Sequence, residues 1–377
     1  MVNQIHLYPV GLQQTEGRVS ARCRIELTDS RPVSLFYSVP QDYGPLLTES
    51  ADPFVVAAVF LAMSHKADLY VHAKISSSLL NNLAEYQTIW STVRPNSFQA
   101  VEICADAEEN HSTPVNDHAV VTYSGGMDSN FSAWRHSTGR AGRRKRNLKA
   151  AVMVQGFDIP NDEPEMFARA VANSRRMLDS VGVELIPMAT NFQSIIPYWI
   201  FSHGAGLASA LMMLKSGFGV GMIAASDPYS SIYPLLGSNP LSDPFLSSQA
   251  FEIVHDGAAF SRSQKARQLY VWDECMRYMR VCWRNKQRDR NCCRCDKCIR
   301  TILNFRAVGL PRPPCFERDV TLWQIATRGP IGRIKHIFFQ EALDDARKNN
   351  MAGSWVTLLR IILPIYGFAL KFTPRTW

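Results

Sequence analysis

From residue 118 onward the sequence alternates short, uninterrupted apolar runs with stretches of helical periodicity, an order that few folds accept. HAVVTY (118–123), LKAAVMVQG (148–156), VELIPMA (183–189) and GVGMIAA (219–225) have the length and continuity of strands buried on both faces. A helix from about 128, EPEMFARAVANSRRMLDS (163–180) and residues 203–216, opening at His203-Gly204, fill the gaps. FEIVH (251–255) adds a strand before a long helix over 261–281. This order predicts an α/β fold built on a doubly wound parallel sheet, with its ligand at the carboxyl ends of the strands.

A chain of 377 residues has room for more than one unit. Residues 1–110 read as a small α+β accessory domain, 118–308 as the doubly wound domain, and 309–377 as a helical C-terminal extension. In the first, VSARCRIEL (19–27) and VSLFYSV (33–39) are strands joined by the turn Asp29-Ser30-Arg31-Pro32. PFVVAAVFLAM (53–63) reads as a buried helix, DLYVHA (68–73) as a strand, 75–93 as a second helix and FQAVEICA (98–105) as the closing segment. The acidic stretch 105–117 breaks periodicity and marks the boundary.

No membrane partner is expected. The apolar run 204–226 is interrupted by Lys215, Gly217 and Gly219, and 355–372 carries Arg360, Pro364 and Lys371, which suits a packed or surface-lying helix. The start, MVNQIHLYPVG, lacks a basic head followed by an apolar run, so a cytoplasmic location is expected.

The segment Ser124-Gly125-Gly126-Met127-Asp128-Ser129 directly follows the first of these strands and opens a helix. Such a bend presents backbone N–H groups and the positive end of a helix dipole, which together bind an anion. The glycines allow close approach, the serines add donors, and Asp128 next to phosphate calls for a divalent cation. The lysine of a Walker loop is absent.

Cys275, Cys282, Cys292, Cys293, Cys295 and Cys298 crowd one stretch of a chain with nine cysteines, unlike a disulfide framework. Cys282, Cys292, Cys295 and Cys298 have the spacing C-x9-C-x2-C-x2-C of a closed four-thiolate zinc site. Iron–sulfur ligation uses the same donors, and Cys293 offers a competing register. Between 277 and 300 basic residues outnumber acidic ones, Arg284, Arg288, Arg294, Lys297 and Arg300 among them, and would neutralise the thiolates. The chain as a whole carries +8, which favours anionic partners.

SGGMDS resembles the SGGxDS pyrophosphate loop of the PP-loop ATP pyrophosphatases, the adenine nucleotide α-hydrolase superfamily. Followed by the cysteine pattern, it is similar to the 7-cyano-7-deazaguanine synthase family of queuosine biosynthesis over about 118–308. The resemblance implies a doubly wound sheet, a structural zinc ion on Cys282, Cys292, Cys295 and Cys298, and ATP on Ser124, Gly125, Gly126, Met127, Asp128 and Ser129 with Mg²⁺ at Asp128. It also implies adenylation of a deazaguanine-like carboxylate, release of pyrophosphate, and amide or nitrile formation. Residues 1–110 and the helical tail depart from the compact synthase, as does Gln155-Gly156-Phe157-Asp158 after the second strand.

The expected function is therefore that of an ATP-dependent, C–N bond-forming ligase, with Asp128, Ser129 and Lys265 catalytic and Arg262 beside Lys265. Asp158, Asn191, Ser226 and Asp227 follow the other strands and should line the same crevice. His203 is either a substrate contact or a cap. The partners are a small carboxylate and ammonia or an amine donor, with an RNA or protein acceptor and homodimer formation left open. Two other readings stand. One is a thiolation-type tRNA-modifying enzyme, favoured by the basic loop Arg140, Arg143, Arg144, Lys145, Arg146 and Lys149 but needing a reactive cysteine at the nucleotide. The other is a non-catalytic zinc-containing protein that binds nucleotide or nucleic acid.

Overall fold

The apolar runs assemble, among the described residues, into one mostly parallel sheet of ten strands. The computed structural model describes residues 3–372 apart from 29, 111–112, 233–234, 283, 285, 288 and 329–331. The turn residue Asp29, part of the boundary stretch 105–117 and the basic Arg288 thus lie outside the described residues. In chain order the elements are β1 (Gln4–Thr15), β2 (Arg18–Leu27), β3 (Val33–Pro40), α1 (Asp52–His65), β4 (Asp68–Ser76), α2 (Ser77–Val93) and β5 (Ile103–Glu109). Then come β6 (His118–Thr122), α3 (Met127–Ser137), β7 (Asn147–Gln155), α4 (Pro164–Asp179), β8 (Glu184–Thr190), α5 (Phe192–Ile195), α6 (Trp199–Met212), β9 (Val220–Ala224) and β10 (Glu252–Asp256). Six helices follow: α7 (Arg262–Leu269), α8 (Asp273–Tyr278), α9 (Asp296–Arg306), α10 (Leu322–Arg328), α11 (Arg333–Lys348) and α12 (Ser354–Ala369).

The strand order is β10-β9-β6-β7-β8-β3-β2-β1-β4-β5. From β6 the chain winds to one side through β7 and β8, then returns to place β9 and β10 on the other, all in parallel. The reversal lies between β6 and β9, where a doubly wound sheet opens a crevice at its carboxyl edge. Alternate residues of β6 serve opposite layers: Val120 belongs to the core that α1 and α6 line, Ala119 and Val121 to the core that α3, α4, α7 and α9 line. Full burial on both faces is why this strand reads as a continuous apolar run.

The sheet does not stop at the acidic boundary stretch, which β5 enters as far as Glu109. β3 pairs antiparallel with β8 through Tyr37↔Thr190 and Ser38↔Ala189, so residues 4–109 extend the same sheet. Asn191 secures this seam, its Oδ1 accepting from the Phe36 N–H (3.0 Å) and its Nδ2 donating to the Ser34 carbonyl (2.8 Å). It therefore belongs to the seam and does not line the crevice. The strand β1 has no clean apolar alternation and was not expected; Ile5 and Leu7 bury against the helices while His6 and Tyr8 lie on the other face. Two helices differ from expectation. α6 begins at Trp199, which puts His203 inside it, and the helix over 261–281 is broken at 270–272 into α7 and α8.

Lys215, the charge inside the apolar run 204–226, follows α6 and reaches Asp52 at the start of α1 at 2.8 Å. Asp52 is fully buried and also accepts from the Ser76 N–H (3.0 Å) and hydroxyl (2.6 Å). This pair ties α1 to α6 across the two halves. No helix among the described residues is long and apolar enough to cross a membrane. Residues past 308 share the apolar core of the doubly wound half, through Phe339, Leu343 and Leu359.

Removing one partner of a buried ion pair leaves the other charge uncompensated, so Lys215→Met should lower the unfolding free energy by about 3 kcal/mol. In urea titrations the double variant D52N/K215M should lose less than K215M alone.

Candidate functional site

Gly125, at φ +73°, turns the chain from β6 into α3, a conformation that a residue with a Cβ adopts only under strain. A Cβ on Gly126 would lie 3.1 Å from Ser124 Oγ, so both glycines keep the bend tight. Ser124 Oγ accepts from the Gly126 N–H (3.3 Å), and Ser129 Oγ accepts from the Ser124 N–H (3.3 Å) while donating to the Gly126 carbonyl (3.2 Å). Asn130 donates to the Gly125 carbonyl (2.9 Å) and is itself held by the Tyr123 hydroxyl. No side chain caps α3, so the first N–H groups of the helix have their positive end open to a ligand.

This bend forms one wall of a cavity of about 440 Å³ at the carboxyl edge of β6, β7 and β9. Ser124, Gly126, Met127, Asp128 and Ser129 line it, together with the expected Asp158, Ser226, Asp227, Arg262 and His203. Phe157, Phe167, Trp199, Ile200, Leu207 and Leu236 make an apolar side. Arg280, Lys297 and Arg300 make a cationic one, and the C-terminal extension contributes Phe338. Those four were not foreseen as site residues. The basic crowding around the cysteines was legible, but nothing in the sequence tells which cations turn toward the cavity.

Asp128 lies between two cations. Arg262 Nη1 bonds one carboxylate oxygen and Lys265 Nζ lies 3.0 Å from the other. Lys265 is 1% exposed, lies beneath Asp128 and also donates to the Ala225 carbonyl (2.5 Å) after β9. Burial by itself would raise the Asp128 carboxyl, but Arg262, Lys265 and Arg300 together hold it below the ordinary carboxylate range. Asp227 differs. Burial, with Glu341 and Asp128 nearby, raises its carboxyl, and its buried Oδ1 has no hydrogen-bond partner. Burial brings the Arg300 guanidinium down to about 10, and Phe338 covers its face, 3.6 Å from Cζ to the ring centroid.

Burial also lowers His203. The neutral ring donates from Nδ1 to the Trp199 carbonyl (3.2 Å) and accepts at Nε2 from the Ser238 N–H (3.1 Å). Both nitrogens are engaged, so His203 pins the loop after β9 to α6 and caps nothing.

Cys282, Cys292, Cys295 and Cys298 bring their sulfurs within 4.8 Å of one another. The contacts Cys282–Cys295 (3.7 Å) and Cys292–Cys298 (3.9 Å) match the separation of about 3.8 Å between sulfurs bonded tetrahedrally at 2.3 Å. This set can hold a metal ion such as zinc. Cys293 takes no part: at φ +56° its sulfur turns away toward the Asn291 carbonyl. Asn291 frames the knuckle, accepting from the Val281 and Cys282 N–H groups and donating to the Met279 and Cys315 carbonyls. The knuckle is joined to the bend by Arg280, whose N–H donates to the Gly125 carbonyl (2.8 Å) and whose Nη2 donates to the Ser124 carbonyl (3.0 Å).

The basic loop 139–149 runs into the first residues of β7 and so lies at the amino edge of the sheet, opposite the cavity. Arg146 pairs there with Glu252 (2.7 Å), and Arg140 stacks on Trp134. Cys275 and Cys315 lie outside the cavity wall, their thiols pushed up by burial. Comparison with protein-family models, curated proteins and solved structures finds no match.

Metal analysis of the purified protein should give about one equivalent, retained in Cys293→Ser and lost with unfolding in Cys295→Ser. Asp128→Asn should cost about 3 kcal/mol at neutral pH, because it leaves two buried cations without their anion. A carboxyl held below its unfolded value stabilises fully above about pH 4 and loses that contribution as pH falls through its folded value. Urea titrations of wild type and D128N should therefore converge only in acid.

Proposed function

We propose that the chain is an ATP-dependent ligase of the PP-loop type, which adenylates a substrate carboxylate, releases pyrophosphate and forms a C–N bond. One observation carries the reading. The Ser124–Ser129 bend stands at the β6/β9 reversal with the uncapped amino end of α3 facing the cavity. An anion placed there meets backbone donors, the Ser124 hydroxyl and a helix dipole. The apolar side, with the Phe157 and Trp199 rings 4.9 Å apart, suits a planar base or an aromatic acid.

In this reading the carboxylate oxygen attacks the α-phosphorus, the bond to the β-phosphate oxygen breaks and pyrophosphate leaves. The amine then attacks the acyl carbon, and the C–O bond to AMP breaks. The bend and Arg262 neutralise the departing pyrophosphate, while Lys265 acts through Asp128 by keeping that carboxylate ionised and in place. Because both Asp128 oxygens are engaged, Asp227 is the carboxylate we assign to Mg²⁺, which when bound would neutralise phosphate charge. We assign zinc to the four-cysteine knuckle, as a structural ion that fixes Arg280 and α9 against the bend.

The thiolation reading is less favoured. Among the described residues the cavity wall holds no thiol, and the basic loop lies at the far edge of the sheet. The non-catalytic reading leaves Asp227 Oδ1 and the open helix end without a use.

Pyrophosphate exchange with ATP across a panel of carboxylates that includes deazaguanine acids should give a signal for at least one acid. Ser124→Ala, which preserves the fold, should reduce it on the order of a hundredfold. Formation of ADP and phosphate, or a signal unchanged in Ser124→Ala, would overturn the proposal.

A further inference from the structure

The C-terminal helix buries one side and leaves the other bare. Trp355, Val356, Leu359 and Leu363 of α12 join the core. Ile361, Ile365 and Phe368, with Phe372 just beyond the helix, lie 58%, 62%, 64% and 74% exposed. Their spacing of four, three and four residues draws one straight stripe along the helix. Phe368 and Phe372 pack ring to ring, 5.1 Å apart, and so keep the end of the stripe together. The neighbouring α10, held to α12 by the Tyr366 hydroxyl donating to the Ala326 carbonyl (3.0 Å), carries Trp323, 75% exposed.

Charge selects the occupant. Residues 346–377 contain no Asp or Glu, while Arg360 and Lys371, both exposed, lie along one side of the stripe. The acids of the adjoining α11 are engaged elsewhere. Glu341 accepts from the Arg262 N–H, Asp344 pairs with Arg347, and Asp345 accepts from the Ser261 hydroxyl. Self-pairing of two such helices would set cations against cations, which disfavours a second copy of the chain. An apolar stripe rich in Phe and Ile, set in an acid-free basic border, is complementary to a surface that is anionic outside and apolar just beneath.

We propose that α12 docks the protein onto anionic lipid, lying in the plane of the bilayer surface with the stripe immersed. The helix is too short to span, so the contact is peripheral. This departs from the expectation of no membrane partner, which concerned insertion across the bilayer. It is independent of the chemistry proposed for the cavity.

The test is flotation of the full chain with vesicles of phosphatidylcholine alone and of equal parts phosphatidylcholine and phosphatidylglycerol. The protein should float with the anionic vesicles and remain behind with the neutral ones. I365D/F368D should weaken flotation on the order of tenfold or more, with an unchanged circular dichroism spectrum and melting curve because both side chains are exposed. R360E/K371E should abolish the preference for anionic lipid, as should high salt. Equal flotation with both vesicles overturns the proposal by removing its electrostatic half. Flotation with neither vesicle overturns it in favour of an acidic protein surface. A dimer in light scattering that I365D/F368D dissolves overturns it in favour of self-association.

Discussion

The ion triad of Asp128 with Arg262 and Lys265 is the interaction on which the cavity depends, because its members come from two helices, α3 and α7, that only the finished fold brings together. Asp128 opens α3 after β6, the two cations come from α7 after β10, and Lys265 also grips the carbonyl that ends β9. The reversal of the sheet between β6 and β9 leaves a gap, and the triad closes its floor. Burying three charges is costly unless each finds a partner. Here the two cations share one carboxylate, which leaves the triad with a net positive charge beside the bend.

The cysteine knuckle enters this arrangement through its ends. Arg280 and Val281 precede the first thiolate, Arg280 touching the bend and Val281 lining the cavity, and Lys297 and Arg300 share α9 with Cys298. A knuckle closed by a metal ion therefore fixes the spacing of three cations around the cavity without contributing a ligand position to it. Phe338 then covers the Arg300 guanidinium, so the helical extension is part of the same wall.

The doubly wound half was legible because burial on both faces of a central strand leaves an uninterrupted apolar run, and the Ser124–Ser129 bend carries its own glycines. The thiolate set followed from spacing alone, and the left-handed backbone at Cys293 explains why the competing register fails. What the sequence could not convey is long-range. Phe338 and Glu341 reach the cavity region from far along the chain, Asn191 is spent on β3, and β1 owes its strand to pairing with β2 and β4 rather than to its own pattern. The helix over 261–281 breaks at 270–272, where Trp272 instead donates to Ser180 on the neighbouring α4 turn.

The short β3–β8 seam has a bearing on how the chain can be divided. β8 would otherwise be the outermost strand of the parallel set, its backbone groups unpaired where β3 now meets Ala189 and Thr190, an invitation to intermolecular strand addition. The first hundred residues shield that edge and at the same time roof α6 with α1. The doubly wound half is thus not a free-standing module: excised on its own, it would be sticky along one side and bare on one face.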